Sequence, residues 1–324
     1  MAGLCWAPMG IRCGSGISSF VFEAARAYFR FALACEEAGV DSFWQTDRLV
    51  GGEPQLEAMA AMAALAGATE RIKFGMNAVV VGYRDPLVLA KQCATIDFLS
   101  GGRLLPVFGV GFEGDPTWRA TGRDPGGRGR RANEALTLLS RLWSEDSVDF
   151  DGEFYRYEGA HIEPRPIQQP LPLWIGGASK AAIRRTAALG TGWLGGLMPP
   201  DQVGPVIRAI ATAAEEAGRK IDADHYGATI PFHLGSDEPP GLARYTGARA
   251  RTAGVSASAA VAHGDAASLI ERIRGYAAAG ASKFVLVPLA SGEAALSRQL
   301  DQLAAEVLPV VEAPGFDPVV SKRA

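Results

Sequence analysis

A recurring joint between helix and strand constrains the fold of this chain more than any other feature. At each joint a helix-forming run ends in Ala or Leu, a glycine follows, and an apolar run begins two or three small or polar residues later. The clearest examples are "CEEAGVDSFWQ" (35–45), "AALGTGWLGG" (187–196) and "YAAAGASKFVLVPL" (276–289), with looser forms at 63–81 and 98–110. Glycine just past the last helical residue is a common helix cap. Each joint therefore predicts a helix followed by a strand, and their repetition predicts a parallel sheet.

The pattern predicts eight strands, each followed by a helix. The strands are expected to start near Gly3, Asp41, Ile72, Arg103, Pro172, Gly192, Tyr226 and Lys283. The helices are expected near 20–38, 55–67, 86–99, 127–144, 179–189, 201–218, 265–279 and 293–311. Eight such pairs in 324 residues fit a (β/α)8 TIM barrel better than a doubly wound open sheet. No linker-like run interrupts the repeat, so we expect a single domain over 1–324.

Two segments fall outside the repeat. Residues 145–170 resemble a short hairpin that turns at "FDGEFY" and continues into a Pro-rich connector. Residues 235–264 are weakly patterned and are a candidate lid. Because the loops after barrel strands build active sites, we expect both insertions at the C-terminal face, where they would contact substrate.

Composition excludes several classes of function. The net charge is −3, so no basic surface indicates a nucleic-acid partner. No signal peptide or membrane-spanning stretch is recognisable, and no His, Asp or Glu cluster has the spacing of metal ligands. The cysteines lack the spacing of a disulfide or metal motif and are expected to be reduced thiols; they are Cys5, Cys13, Cys35 and Cys93. The sequence therefore predicts a cytoplasmic protein without a metal.

The segment "GVGFEG" (109–114) is a literal G-x-G-x-x-G after an apolar run. A dinucleotide-binding fingerprint needs a helix that opens at this turn and an acidic residue about twenty positions later, at the end of the next strand. Here "DPTWRATGRDPGG" follows before any expected helix, and Glu134 lies inside a predicted helix. The segment is therefore interpreted as a glycine-shaped loop.

A second glycine pair stands in "LPLWIGGASKAAIRR", between an apolar run and a helix-forming one. Gly176 and Gly177 fill a very short turn, and Ser179 stands where a helix N-cap belongs. Glycine lets another molecule approach the backbone closely, and the start of a helix favours a phosphate. The residues alone leave two interpretations open, a phosphate-binding turn or a tight turn with nothing bound.

Several segments together resemble the bacterial luciferase-like monooxygenases and their relatives that use the deazaflavin coenzyme F420. They are "EEAGVDSFWQTDRL", "GMNAVVVGYRDPLVLAKQCATIDFLSGGRLLPVFGVG", "LPLWIGGASKAAIRRTAALGTGWL" and "IERIRGYAAAGASKFVLVP". They occur in the family's order over most of the chain. The resemblance implies a barrel that holds a flavin or deazaflavin at the C-terminal ends of its strands.

The resemblance also implies a set of cofactor-binding residues. The phosphate turn would be Gly176, Gly177, Ala178 and Ser179. A non-proline cis peptide would join Asn77 to Ala78 behind the ring, and the ring pocket would be lined by Gly109, Gly111 and Phe112. From its place in the apolar pattern, Trp193 is expected in the barrel core, with contact to the cofactor as the alternative.

Asp47 and Arg48 match the end of the second strand, beside the reactive part of the ring, and are the predicted catalytic residues. Many F420 enzymes carry Asp-His here. Arginine stays charged and cannot act as a base, so Arg48 suits an anion such as an ionised deazaflavin hydroxyl or a substrate carboxylate. Gly114 stands where glucose-6-phosphate dehydrogenases of this group have a catalytic glutamate, so neither Glu113 nor Asp115 is assigned that role.

Three functions remain open. The leading one is hydride transfer between F420 and a small organic substrate; the others are an FMN-dependent monooxygenase and a non-catalytic flavin-binding protein. A homodimer and a separate flavin or F420 reductase are the expected protein partners. The three arginines at the start of the predicted helix 127–144 (Arg128, Arg130 and Arg131) are expected to form salt bridges with other segments, because cations are unfavourable there.

Overall fold

The computed structural model describes residues 10–20, 22–242, 256 and 261–318, and within these ranges eight parallel strands close into a barrel. The helices between them complete a (β/α)8 TIM barrel, as predicted. The barrel strands, in the order in which they pair around the ring, are β1 (Arg12–Ile17), β2 (Ser42–Gln45), β3 (Lys73–Val80), β4 (Leu104–Gly109), β7 (Trp174–Gly176), β8 (Gly192–Gly195), β9 (Tyr226–Leu234) and β11 (Lys283–Pro288), which pairs again with β1.

The helices of the described chain follow the predicted positions. They are α1 (Ala25–Glu37), α2 (Ala58–Ala68), α3 (Pro86–Ser100), α4 (Pro116–Ala120), α5 (Arg128–Ser144), α6 (Lys180–Leu189), α7 (Pro200–Glu216), α8 (Ala266–Ala278), α9 (Glu293–Gln302) and α10 (Leu308–Val311). A 3-10 turn, Val81–Tyr83, follows β3, and a π-helical turn, Leu303–Val307, joins α9 to α10. The short α4 is an unpredicted helix between the "GVGFEG" loop and α5. The Asp115 side chain caps it, and Pro116 starts it.

The prediction for the first strand is wrong. The strand between β2 and β11 is Arg12–Ile17, and Gly3 lies outside the described residues. The sequence "RCGSGI" is poor in large apolar residues because its neighbour fills the space. A Cβ on Gly14 would lie 2.5 Å from the indole nitrogen of Trp44. Glycine in β1 thus makes room for a tryptophan from β2.

The inside of the barrel is filled with apolar side chains. Its cluster consists of Trp44, Val107, Trp174, Leu194, Val285 and Val287. The indole N–H of Trp44 donates to Ser42 Oγ at 2.8 Å. At the N-terminal end of the barrel, Lys283 forms a buried ion pair with Asp41. A second and larger core lies between the strands and the helices, and Trp193 is fully buried within it.

The hairpin in the first insertion is confirmed. Its strands, β5 (Val148–Asp151) and β6 (Arg156–Ala160), are antiparallel. The carboxylate of Glu134 accepts hydrogen bonds from backbone N–H groups of the hairpin turn at 2.8–3.3 Å. The expected salt bridges of the α5 arginines are present for two of them, since Arg130 pairs with Glu153 at 2.9 Å and Arg128 with Glu113 at 3.2 Å.

The second insertion is only partly described. It ends in β10 (Ala262–Gly264), a short strand parallel to β9 and outside the closed ring. Positions 243–255 and 257–260 lie outside the described residues, so the role of a lid stays a prediction. Among the helices that the structure describes, none has the length and apolar character needed to cross a membrane. Cys13, Cys35 and Cys93 are buried free thiols, and Cys5 is outside the described ranges.

Candidate functional site

Two glycines lie side by side at the C-terminal end of the barrel, which we call the mouth. Phe108 pairs with Ile175, so Gly109 on β4 and Gly176 on β7 are adjacent. Each stands two residues after an interior side chain, Val107 or Trp174, and therefore faces the interior. A Cβ on Gly109 would lie 3.6 Å from the Ala78 Cβ, and one on Gly176 would lie 3.8 Å from the nearest atoms.

Neither glycine is required by the protein itself. Those distances are ordinary van der Waals contacts, and neither residue has a left-handed backbone. Any side chain at these positions would extend into the mouth. The two glycines thus leave a gap among the side chains between Ala78 and the end of β7, above an apolar floor that includes Val107 and Trp174, and we call this gap the concavity. A flat ring fits such a surface.

The rim of this concavity at β3 carries a polar contact across the barrel. The side-chain amide of Asn77 donates to Thr229 Oγ1 on β9 at 2.8 Å. The peptide between Asn77 and Ala78 is cis, as the resemblance implies. The register between β3 and β4 shifts between Met76 and Val79, so a bulge presents both Asn77 and Ala78 to the interior.

The loop after β4 is held by aromatic residues that sequence analysis missed. Gly111 has a φ of +66°, and a Cβ there would lie 3.0 Å from Val80 Cγ1 and 3.1 Å from the Tyr83 hydroxyl. Glycine is therefore required at this position. The indole N–H of Trp118 donates to the Phe112 carbonyl at 2.9 Å, and its ring packs edge-on to Tyr83. This support fixes the loop while leaving Phe112 48% exposed.

The turn between β7 and α6 combines a glycine-only conformation with a capped helix. Gly177 has a φ of +101°, and its carbonyl accepts a hydrogen bond from the Trp193 indole N–H at 2.8 Å. Ser179 Oγ accepts from the Ala182 N–H at 3.2 Å, as an N-cap does. Ala178 packs against the core. Other N–H groups of the first turn have no acceptor inside the helix, which suits an anion.

Of the two predicted catalytic residues, Asp47 lies in a buried ion pair. Its carboxylate accepts hydrogen bonds from Arg84 at 2.7 and 2.9 Å, and the side chains of Asp47 and Arg84 are 1% and 10% exposed. Arg84 also donates to Glu57 at 2.5 Å. Burial lowers the pKa of Arg84, but its hydrogen bonds to Asp47 and Glu57 outweigh this and hold that pKa above its usual range.

This network joins the loop after β2 to the turn after β3 and to the start of α2. Sequence analysis did not select Arg84, because its partner lies 37 residues away. Through its ion pair with Arg84, Asp47 positions the loop that carries Arg48. A catalytic role for Asp47 stays a prediction.

Of the two predicted catalytic residues, Arg48 is the more exposed. Its side chain is 38% exposed, and its guanidinium is 3.9 Å from the Glu53 carboxylate. A partly exposed guanidinium with such a long contact retains the capacity to bind an anion. A cavity of about 160 Å³ opens nearby between the ends of β1 and β11, and its lining includes Ser18, Glu53 and Leu289.

A larger cavity of about 620 Å³ lies away from the two glycines, between the end of β9 and α9. Its lining includes His233, Asp237 and Arg298. The ring of His263 lies 5.8 Å from that of His233, so His263 is placed beside this end of β9. No group of three or more His, Cys, Asp or Glu side chains in the described ranges is arranged to hold a metal ion.

Comparison with known proteins decides the family. A sequence model described as luciferase-like monooxygenase matches residues 1–245. The chain belongs to the luciferase-like monooxygenase family. Among similar curated proteins, the F420-dependent glucose-6-phosphate dehydrogenase of Amycolatopsis mediterranei is 30% identical over an alignment of 211 residues that covers 61% of this chain and 62% of that protein.

The FMNH2-dependent dimethylsulfone monooxygenase of Pseudomonas putida is 35% identical over an alignment of 147 residues that covers 44% of this chain and 40% of that protein. The chain thus spans less than two thirds of the length of either relative. An F420-dependent secondary alcohol dehydrogenase, solved with an F420–acetone adduct, superposes with a TM-score of 0.79 at 19% identity, over 94% of this chain and 100% of that one. Luciferase-like relatives therefore include oxidoreductases and monooxygenases that use F420 or FMN.

Proposed function

We propose that this luciferase-like protein is an oxidoreductase that transfers a hydride between F420 and a small organic substrate. The observation that carries the proposal is the pair of interior glycines at the mouth, Gly109 and Gly176, which neither packing nor backbone conformation requires. A flat ring seated against them would lie within reach of the turn that starts α6. F420 is favoured over FMN because the relative named for F420 matches a larger share of the chain.

The residues at the mouth divide into two groups under this proposal. The ring would be held by Asn77, Ala78, Gly109, Gly111 and Phe112, and the phosphate by the turn formed by Gly176, Gly177, Ala178 and Ser179. When bound, the deazaflavin supplies the carbon that gives or takes the hydride. The protein supplies orientation. The Trp193–Gly177 hydrogen bond sets the phosphate turn, and the Trp118–Phe112 hydrogen bond sets the loop that borders the ring.

Arg48 is proposed to bind an anionic group of the substrate or the ionised ring, because its guanidinium stays protonated and cannot accept a proton. The buried Asp47–Arg84 pair holds the loop in which Arg48 lies. Arg48 would therefore neutralise and orient that anionic group, and Asp47 would act through Arg84 as a positioning residue.

An FMN-dependent monooxygenase is the second candidate, favoured by the similarity to the Pseudomonas putida protein. The same turn would hold the phosphate of FMN. A separate reductase would then supply the reduced cofactor.

A homodimer is proposed as the working assembly. The sequence of α2, "AMAAMAALAGA", contains no charged side chain. The neighbouring α3 exposes Val88, Phe98 and Leu99 at 54%, 51% and 61%. Exposed apolar surface of this kind is typical of a protein–protein interface.

The proposed function is tested by titrating the protein with F420 and with FMN while following tryptophan fluorescence and cofactor absorbance. We expect F420 to bind and Gly176→Val to abolish binding, since the new side chain would occupy the concavity. The variant should keep its melting temperature, because its Cβ would meet only ordinary contacts and its γ methyl groups would extend into the mouth. Ala188→Val, on the exposed face of α6, is the matched control. Selective FMN binding would favour the monooxygenase, and binding of neither cofactor would refute the site.

A further inference from the structure

The cavity of about 620 Å³ between the end of β9 and α9 has no part in the proposed function, and we call it the α9 cavity. One wall is a single face of α9, and the other is the end of β9 with the loop after it. Neither Gly109 nor Gly176 belongs to its lining. Its volume lies within the range of sites that bind small organic molecules.

The side chain of Gln299 holds the two walls together. Its oxygen accepts from the Leu234 N–H and its amide donates to the Leu234 carbonyl, both at 2.8 Å. His233 precedes Leu234 on β9, Arg298 precedes Gln299 on α9, and both line the cavity. Each wall therefore contributes one basic side chain next to this double hydrogen bond, so one ligand can contact both.

The ring of His233 lies at the base of the α9 cavity, with its side chain only 8% exposed. Nδ1 lies 2.8 Å from the Leu289 carbonyl oxygen, and Nε2 lies 3.2 Å from the Asp237 carboxylate. A carbonyl and a carboxylate accept hydrogen bonds but cannot donate them. His233 therefore satisfies both contacts only as the imidazolium, which donates from both nitrogens. The base of the cavity thus favours an anion.

The contact with Asp237 shows which anion fits this nitrogen. The Asp237 side chain is 76% exposed, so it can turn into water and leave its place to another carboxylate. A Cβ on Gly235 would lie 2.8 Å from Asp237 Oδ1 and 3.1 Å from His233 Nε2, so glycine leaves room for a carboxylate here. The hydrogen bond from His233 lowers the pKa of Asp237. An ionised carboxylate is therefore the group that His233 holds.

The other charged groups around His233 leave one cation available. Arg298 and Asp301 lie on α9, and in the part of the chain that the structure describes neither forms an ion pair. His263 on β10 is exposed, and its ring lies 5.8 Å from that of His233. The guanidinium of Arg298 can thus pair with an anion that also contacts His233.

We propose that the α9 cavity binds an organic monocarboxylate at a site separate from the cofactor. The ligand carboxylate replaces Asp237 at His233 and pairs with Arg298. The body of the ligand lies on the apolar part of the lining, which consists of Leu234, Pro240, Ala290 and Ala295. The inference does not rest on the proposed function, because the two interior glycines take no part in it.

The test measures binding of benzoate by ligand-observed NMR, with benzamide and benzylammonium as probes of similar shape and different charge. Benzoate should bind more tightly than either. Arg298→Gln should weaken benzoate binding by about two- to fivefold, the effect of one exposed ion pair, and Asp237→Asn should strengthen it by a similar factor because the competing carboxylate is gone. Benzoate affinity should rise as pH falls from about 8 to about 6, since histidine gains its second proton in this range.

Each variant has a matched control with the same change of charge. Arg208→Gln replaces an exposed arginine on α7, and Glu238→Gln replaces the exposed carboxylate next to Asp237; neither residue lines the cavity. Both controls should bind benzoate like the unmodified protein. Arg298 and Asp237 are exposed as well, so their variants should keep the melting temperature.

Several outcomes would overturn the proposal. They are absence of benzoate binding, preference for benzylammonium, unchanged binding in Arg298→Gln and weaker binding in Asp237→Asn. Saturation with F420 or FMN should leave the benzoate affinity unchanged, and competition would overturn the separate site by placing the acid at the mouth. Failure of both cofactors to bind would overturn the proposed function and leave the α9 site standing.

Discussion

Replacing Arg84 with methionine is expected to destabilise the protein strongly. The substitution keeps most of the side-chain volume but leaves the Asp47 carboxylate without a cation, and the side chain of Asp47 is only 1% exposed. Removing one partner of a buried ion pair costs about 3–5 kcal/mol. We expect a loss of unfolding free energy in that range, measured by urea denaturation at pH 7.5 with circular dichroism and tryptophan fluorescence.

The stability deficit of Arg84→Met should also depend on pH. In Arg84→Met, a buried carboxylate without a cation is more stable in its protonated form, so folding favours uptake of a proton. The unfolding free energy of the variant should therefore approach that of the unmodified protein as pH falls, and the deficit should grow as pH rises. The double variant Asp47→Asn/Arg84→Met should recover part of the loss, since it removes the uncompensated charge.

Arg141→Met is the matched control. Arg141 pairs with Glu145 at 2.8 Å on the surface, and its loss should change stability little. A loss below about 1 kcal/mol in Arg84→Met, or a deficit that is independent of pH and not relieved in the double variant, would refute the reasoning. The network would then not hold the loop after β2.

Three further outcomes follow from the structure. Gly111→Ala should lower the melting temperature, because φ is +66° and Val80 and Tyr83 crowd the position, while Gly67→Ala on α2 should not; equal melting temperatures would contradict this. Burial raises the pKa of Glu36, but hydrogen bonds from the N–H groups of residues 70–72 lower it by more, so the net shift is downward. The ionised Glu36 therefore stabilises the fold above its unfolded pKa, and this stabilisation is lost in acid. Urea denaturation of Glu36→Gln should therefore show a deficit at pH 7 that shrinks as the pH falls into the acid range. Phe98→Glu should shift sedimentation from dimer to monomer, whereas Val310→Glu, outside that face, should leave a dimer.

Most of the barrel was predictable because its signals are local. Each of the five helix–glycine–strand joints lies within about twenty consecutive residues, and seven of the eight strands start within two residues of the predicted positions. The first strand could not be found in this way. Its glycines are needed because Trp44, a residue from another strand, fills the adjacent space. The local sequence lacks large apolar residues, so it gives no signal of a strand.

The residues of the candidate site also divide into those with local sequence signals and those without. The turn from Gly176 to Ser179 was predictable because strand, glycines and cap are contiguous. Arg84 and Trp118 were not, since each matters through a contact that forms only when separate loops meet at the mouth. Trp193 was expected in the core, with cofactor contact as the alternative; it is buried there, and its indole N–H holds the Gly177 carbonyl.

The filled interior of the barrel has a kinetic consequence. Trp44 and Trp174 occupy the core of the ring of strands, and the Lys283–Asp41 pair closes its far end, so the mouth is the route to the floor formed by Val107 and Trp174. A ring resting on that floor is covered by whatever binds above it. Under the proposed function, turnover would then follow a compulsory order in which the cofactor arrives before the substrate and leaves after the product. The tryptophans that fill the barrel would thus set the order of binding as well as the shape of the floor.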